Sequence, residues 1–330
     1  MILLFSRSED EHGTAVAIAL GELGHTHRRI EARDLWTDHV YSISPDSGGL
    51  GAGNLFSSFR KMGGVAEAMA ATAIWWRRPT RIEDTLAFHF PTGAEIAMAE
   101  AWHALRLAAE AMPASLFPLG HPSAIDKSAN KLRQLALARE IGFQVPATLV
   151  GNDTTALGEF LRARERVVVK PLHAAAAYEA PERKTTSSLL WCRGFASSDL
   201  LGKLPADGAA QLLVQQAVDK RADWRITVLP HTTIACEIET GTLGPDEPDW
   251  RKKTMELPHR IFKPDDAFDR LLRRYVAALD LPAGYFDFAI DRDGTPWFLE
   301  MNTNAQWLWI ERLTGHPIAR EVALALAGNS

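Results

Sequence analysis

The sequence predicts an α/β protein whose lobes mix helices and strands, and three observations lead there. It opens with an apolar run (Met1–Ser6), a small-residue helix (Gly13–Leu23) and a second short strand (His27–Ala32). That is the βαβ start of an α/β lobe. A Pro/Gly-rich connector, "LFPLGHPSAI" from Leu116 to Ile125, closes this lobe. Beyond it, short apolar strands and turns dominate, ending in "YFDFAIDRDGTPWFLEMN". There "DRDG" is a hairpin signal between two apolar arms. The expected organisation is an α/β domain over 1–118, a central lobe over 119–214 and a C-terminal lobe over 215–330.

Taken in order, the first helix is closed by Gly24. Ser44–Gly64 is glycine-rich and reads as loop or hairpin. Ala73–Trp76 is a strand stopped by "RRP". Thr92–Ala111 is Ala-rich, with Thr92 as N-cap and Pro113 just beyond, and reads as a helix. "DKSANKLRQLALAREIG" reads as one further helix ending at Gly142, and "RVVVKPL" as a buried strand ending in Lys170. His173–Ser188, polar and Ala-rich, reads as a loop. "QLLVQQAVD" and "WRITVLP" read as strands around a "KRAD" turn, "TIACEIET" as a strand, and "GPDEPDWRKKTM" as a loop over a site. Asp265–Asp280 and His316–Leu326 read as helices, and Trp307 and Trp309, at period two, as half core.

Composition excludes several function classes. With 46% hydrophobic and 23% charged residues the chain is ordinary for a soluble globular protein. A net charge of −5 gives no global reason to expect nucleic acid or an anionic membrane. No segment approaches the ~20 apolar residues of a membrane span, and "MILLFSRSED" turns charged too early for a signal peptide. A cytoplasmic protein is expected. Cys192 and Cys236 lack metal-ligand spacing and read as buried thiols. The 11 histidines show no clustered spacing.

Chemistry concentrates where polar residues interrupt apolar strands. Trp297–Glu311 carries Glu300, Asn302, Asn304 and Gln306 among aromatic and aliphatic residues. Burying such groups without partners costs roughly 2–7 kcal/mol each. Folding about "DRDG" brings Asp287 near Glu300 and Asn302, and the latter two share a face at period two. Oxygen ligands converging from paired strands suit Mg²⁺, whose shell ATP phosphates usually complete. Upstream come Lys127 and Lys131 on a helix, Lys170 at a strand end, then Asp223 and Arg225 in "DWR". Cations beside a carboxylate–amide metal site describe a polyphosphate clamp. There is no G-x-x-x-x-G-K-[ST] or G-x-G-x-x-G, so neither a P-loop nor a Rossmann site is expected. Plainer readings stand beside these. Glu300 and Asn302 fit a solvated strand face, Lys170 a snorkelling strand end, Lys127 and Lys131 surface lysines, and Arg225 a salt bridge to Asp223.

The blocks "SANKLRQLALAREIGFQVPATLV", "VVVKP", "LVQQAV…DWRITV" and "FLEMNTN" occur in this order between Ser128 and Glu311. In this the chain resembles the ATP-grasp superfamily, and within it the ribosomal-protein glutamate ligase branch. "IWWRRP" (Ile74–Pro79) and "E-x-N-x-N-x-Q-W-x-W-x-E" are similar to stretches of graspetide (microviridin-type) peptide maturases. The resemblance implies an ATP-grasp fold, ATP and Mg²⁺ as cofactors, and an ADP-forming ligase working through an acyl phosphate. It implies Lys131 and Lys170 as nucleotide-phosphate lysines, and Gln216, Ala217 and Val218 as the hinge facing adenine. Asp287, Glu300 and Asn302 match the Mg²⁺ positions. Arg225 matches the arginine that stabilises the transferring phosphoryl group, with Asp223 as its catalytic neighbour. It further implies a precursor peptide (leader plus acidic core) as substrate, a homodimer, and leader contacts near Lys184–Phe195. One departure is the absence of glycine from "HAAAAYEAPERKTTS", where many ATP-grasp enzymes have a Gly-rich phosphate-covering loop. Three functions follow: a macrocyclase joining Asp/Glu side chains to Lys, Ser or Thr; an intermolecular amino-acid or peptide ligase; and a nucleotide-binding regulator without turnover.

Overall fold

The computed structural model of the chain describes residues 1–31, 39–42, 54–61, 67–79, 93–170, 192–204, 211–246 and 248–328. Strand β1 (Ile2–Phe5) lies between β2 (His27–Ile30) and a strand at Ala73–Trp76, all parallel. Helices cover both faces, as a parallel sheet requires. Ile2, Leu4 and Trp75 pack toward the Glu11–Glu22 and Ile318–Ala327 helices, and Leu3, Phe5 and Trp76 toward Gly93–Ala111. Between these parts, β3 (His39–Ser42), β4 (Asn54–Lys61) and β5 (Glu67–Ala70) form an antiparallel sheet. The Ala73–Trp76 strand is thus β6. Part of the glycine-rich 44–64 segment is therefore a regular strand, because "NLFSSFRK" itself holds no glycine and glycine runs only flank it.

The central sheet is antiparallel, built from β7 (Thr148–Gly151), β8 (Arg166–Lys170), β9 (Arg193–Ala196) and β10 (Leu212–Gln216) in the order β7-β10-β8-β9. Leu157, Leu161, Val167 and Val214 bury one side of it against the Thr154–Arg162 helix. The largest sheet is also antiparallel. It comprises β11 (Lys220–Val228), β12 (Thr233–Ile238), β13 (His259–Phe262), β14 (Gly284–Asp291) and β15 (Pro296–Asn302), in the order β13-β12-β11-β14-β15. Ile226, Phe286, Phe288 and Phe298 pack its back against helices Lys131–Ile141 and Asp266–Ala278. Tyr285, Ile234 and Cys236 on the front join the core shared with the N-terminal lobe and the C-terminal helices. One half of that front face is closed by packing, and the polar half carries the site.

Three local expectations are corrected. The single helix before Gly142 is two, Pro122–Ser128 and Lys131–Ile141, because Asn130 caps the second by accepting from Arg133 N at 3.1 Å. "KRAD" is the start of β11 rather than a turn, with a register shift between Lys220 and Ala222. Trp309 lies on a helix, Leu308–Thr314, so its spacing from the fully buried Trp307 is not strand periodicity.

The central sheet meets the connection between β12 and β13 at Gly194. Its N–H donates to Asp246 O at 3.0 Å, and Arg166 on the neighbouring strand pairs with Asp246. A Cβ at Gly194 would lie 1.9 Å from Pro245 O. Gly194→Ala is therefore expected to lift the 244–246 segment and cost ~1–3 kcal/mol, the scale of overpacking. Denaturant titration checks this, and an unchanged midpoint would mean that the segment yields freely.

Candidate active site

The pairing of β14 with β15 sets Asp287 directly across from Glu300, and Tyr285 across from Asn302. Arg225 on β11 faces Asp287 from the other side. These residues share the front face because their partners at odd offsets, Phe286, Phe288 and Met301, fill the apolar back. Arg225 Nη1 donates to Asp287 Oδ1, and Nη2 to the Gln306 carbonyl at 3.4 Å. Asn302 Nδ2 donates to Glu300 Oε1 at 3.4 Å, and Lys131 Nζ stands 3.9 Å from Glu300 Oε2. Lys170 reaches over from the central sheet, with its Nζ donating to Gln215 Oε1 at 2.6 Å.

Charge balance at this face is uneven. Burial pushes the Asp287 carboxyl above the ordinary range; Arg225 opposes the rise and Glu300 adds to it. Burial acts on Glu300 in the same sense, but Lys131 and Lys170 outweigh it and hold that carboxyl below its usual value. Burial pushes the Lys170 ammonium down, against the attraction of Glu300 and Asp287. Two facing carboxylates and an amide are hard oxygen donors with a mutual repulsion that a small divalent cation would relieve, so they fit Mg²⁺. Among the described residues no cluster of three or more His, Cys, Asp and Glu suggests another metal.

The other expected positions fall as follows. Gln216 ends β10, and with Ala217, Val218, the β14–β15 turn and Trp297 it lines a cavity of about 260 Å³. The N–H groups of Gln216 and Ala217 donate to the Ala147 and Arg166 carbonyls at 2.8 and 3.1 Å. Asp223 is buried on the same face as Arg225, yet its carboxylate accepts from Lys220 Nζ at 2.5 Å and Thr240 Oγ1 at 2.6 Å. The Arg225–Asp223 salt bridge weighed from sequence is replaced by Arg225–Asp287. Cys192, expected to be buried, is half-buried, and its environment is polar: Lys170, Asp249 and Arg251 act on it. The 173–188 loop lies outside the described residues, as does Lys184–Phe195 before Cys192. Of the remainder, Arg193–Phe195 belong to β9.

Several supporting residues escaped the sequence reading. Gln134 is buried, and its amide accepts from Met301 N at 3.1 Å and donates to Met301 O at 2.8 Å. It thereby fixes the backbone between Glu300 and Asn302 to the helix that starts with Lys131. Gln215 orients Lys170 and is itself held, its Nε2 donating to Thr148 Oγ1 at 2.9 Å. Arg251, clamped by Asp249, adds a cation that acts on both Glu300 and Asp287. His12 Nε2 accepts from the N–H groups of Trp307 and Leu308 at 2.9 and 3.1 Å, which places its proton on Nδ1 beside Asp10. None of these carries a local motif; each acts through partners distant in sequence.

Comparison with known proteins places this arrangement. No family model matches the sequence, and no curated protein is similar to it. Solved structures match over nearly the whole chain. A RiPP-associated ATP-grasp ligase of Chryseobacterium gregarium, in complex with ADP and a leader and core peptide, is 20% identical with a TM-score of 0.83, covering 100% of this chain and 97% of that one. The macrocyclase MdnC of Microcystis aeruginosa MRC, bound with precursor peptide MdnA, is 20% identical with a TM-score of 0.75, covering 99% of each chain. The ATP-grasp ligase PsnB, complexed with a minimal precursor, is 20% identical with a TM-score of 0.73, covering 100% and 99%. Among the described residues no helix is long and apolar enough to cross a membrane. The two antiparallel sheets meeting at the Asp287–Glu300 face, beside a parallel N-terminal sheet, are the ATP-grasp fold.

Proposed function

We propose that the protein is an ADP-forming ligase that activates a carboxylate with ATP and passes it to an amine or hydroxyl, with an acidic precursor peptide as substrate. The observation that carries this reading is the convergence of Asp287, Glu300, Asn302, Lys131, Lys170 and Arg225 at one sheet face. A mere nucleotide binder has no need of Arg225 there. Asp287, Glu300 and Asn302 would hold Mg²⁺, which when bound screens phosphate charge. Lys131 and Lys170 hold the nucleotide phosphates. The hinge at Gln216, Ala217 and Val218 meets adenine; since two of its N–H groups are already used, the contact falls to carbonyls and to Val218.

In the reaction, a substrate carboxylate oxygen attacks the γ-phosphorus, and the bond to ADP breaks to leave an acyl phosphate. Arg225 stabilises the charge in transit, since a preorganised guanidinium fork matches phosphoryl oxygens. The substrate's amine or hydroxyl then attacks the acyl carbon, inorganic phosphate leaves, and the nucleophile's proton passes to solvent. We assign Asp223 a positioning role, because Lys220 and Thr240 occupy its carboxylate. The lobes over 1–118, 119–214 and 215–330 supply, in this reading, the substrate wall, the lid and the Mg–ATP face.

The peptide complexes of the similar structures support a precursor peptide over a small molecule. A D-cycloserine synthetase, DcsG, matches over a comparable length but with a TM-score of only 0.54. The test is to incubate the protein, ATP and Mg²⁺ with Thr-, Asp- and Glu-rich peptides, first among them any that a small open reading frame beside its gene encodes. Loss of one water per linkage, matched by one ADP, is the expected mass change for a macrocyclase. Gain of a second reactant's mass less one water would instead establish intermolecular ligation, and no ADP release with any acidic peptide would overturn the ligase.

A further inference from the structure

The "IWWRRP" stretch is not absorbed by the nucleotide site, yet it ends there. Arg77 and Arg78 follow β6, at the carboxyl edge of the parallel sheet, where open α/β sheets bind ligands. The loop leaving Asn302 is held there by consecutive carbonyls. Arg78 Nε donates to Asn304 O and Arg77 Nη1 to Ala305 O, each at 2.8 Å, while Arg225 Nη2 donates to Gln306 O at 3.4 Å. Arg77 is 1% exposed and also donates from Nε to Asp10 Oδ2 at 3.1 Å. Arg78 differs: its side chain is exposed, and Asn304 O is its partner among the described residues.

Three further features mark Arg78. Its φ of +42° is in the left-handed region, which is strained for an L-residue, and Pro79 behind it favours extended backbone. Such strain persists when surroundings enforce it, and it clusters at functional sites. Although its side chain is exposed at the surface, protein crowded around the guanidinium lowers its pKa to about 10, and Arg77, Arg7 and Arg225 add to the fall against the pull of Asp10. Finally, Arg77 Nη2 and Arg225 Nε are buried without an acceptor among the described residues. Among the described residues, these guanidinium groups leave donors for an anion.

We infer that Arg78 receives the carboxylate to be activated, its Nη edge gripping an acidic side chain between the N-terminal lobe and Arg225. A guanidinium anchored through Nε keeps the paired Nη donors for a carboxylate, the geometry in which arginine binds that group most strongly. The nucleotide phosphates have Lys131, at the start of a helix, and Lys170, on the central sheet, so the anion facing Arg78 is the acceptor. Because Asn304 is two residues beyond Asn302, a carboxylate held at Arg78 lies beside the Mg–ATP face rather than remote from it. This assignment rests on the ligase reading above.

Arginine footprinting of the intact protein tests it without knowledge of the natural substrate. Phenylglyoxal modification is followed at each arginine by peptide mass mapping, in the free protein and with ATP–Mg²⁺. The probe is N-acetylglutamate α-methylamide, whose only charge is the side-chain carboxylate; the glutamine analogue at equal ionic strength is the neutral control. Arg78 is expected to be modified in the free and ATP-loaded protein, and severalfold more slowly once the acidic probe is added. Arg77, being buried, stays unmodified and reports that the fold is intact. Equal Arg78 rates with acidic and neutral probes would overturn the assignment. Protection of Arg78 by ATP–Mg²⁺ alone would make it a phosphate residue and overturn it equally. A protein that shows no melting shift with ATP–Mg²⁺ fails as a ligase, and the proposal falls with that reading.

Discussion

Glu300→Ala is expected to reduce substrate-dependent ADP release by roughly 10³-fold or more, the several kcal/mol that a metal contributes to transition-state charge. Fold stability should hardly change. The side chain's ion pair with Lys131 is 3.9 Å long and partly exposed, a type worth at most about 1 kcal/mol. Its removal also relieves Asp287 of a like charge, which offsets part of that loss. Circular dichroism should therefore remain native while the melting shift given by ATP–Mg²⁺ shrinks. For the wild type that shift corresponds to about 2.7 kcal/mol at a hundredfold excess over Kd. Glu300→Gln serves as the isosteric companion, and should lose turnover equally because an amide oxygen is a far weaker ligand for Mg²⁺. A solvated strand face, the plainer reading of Glu300, predicts normal ADP release in both variants. That result would remove the metal assignment.

The acidic face was legible because its determinants are local. "DRDG" turns the chain and sets Phe288 across from Phe298, and a one-residue register shift beyond that pair brings Asp287 opposite Glu300, with Asn302 on the same side at period two. That shift, on which the Asp287–Glu300 pair depends, left no trace in the pattern. What stayed illegible depends on distant partners. Gln134 looks like one more polar helix residue until Met301, 167 positions away, proves to be its partner. Arg77 and Arg78 read as a strand terminator until the 304–306 carbonyls appear against them. The Leu308–Thr314 helix was hidden by two tryptophans at period two; His12 accepts the N–H groups at its start, a cap no local residue announces. Position in the fold, more than residue type, separates Arg225 from the many other arginines of the chain.

For that residue, substitution by lysine separates chemistry from binding. Arg225 makes two different contacts at once, to the Asp287 carboxylate and to the Gln306 carbonyl. Its Nε is buried without an acceptor among the described residues. A lysine ammonium can keep the pairing with Asp287, so the metal face retains its neutralising charge and the fold its cross-strand ion pair. It cannot reproduce the planar fork that holds the 306 carbonyl while presenting a second donor to a phosphoryl oxygen. Arg225→Lys is therefore expected to leave ATP affinity and melting temperature little changed and to cut ADP release ~10²–10³-fold, the scale of losing one preorganised donor. An interaction made only in the transition state shows this signature, with turnover lost and ground-state binding kept. If Arg225 served only to neutralise Asp287, the lysine would suffice and turnover per folded molecule would stay near normal. Measuring ATP affinity, melting temperature and ADP release on one preparation decides between them. Surviving catalysis would make Arg225 structural and leave the phosphoryl group without its central cation.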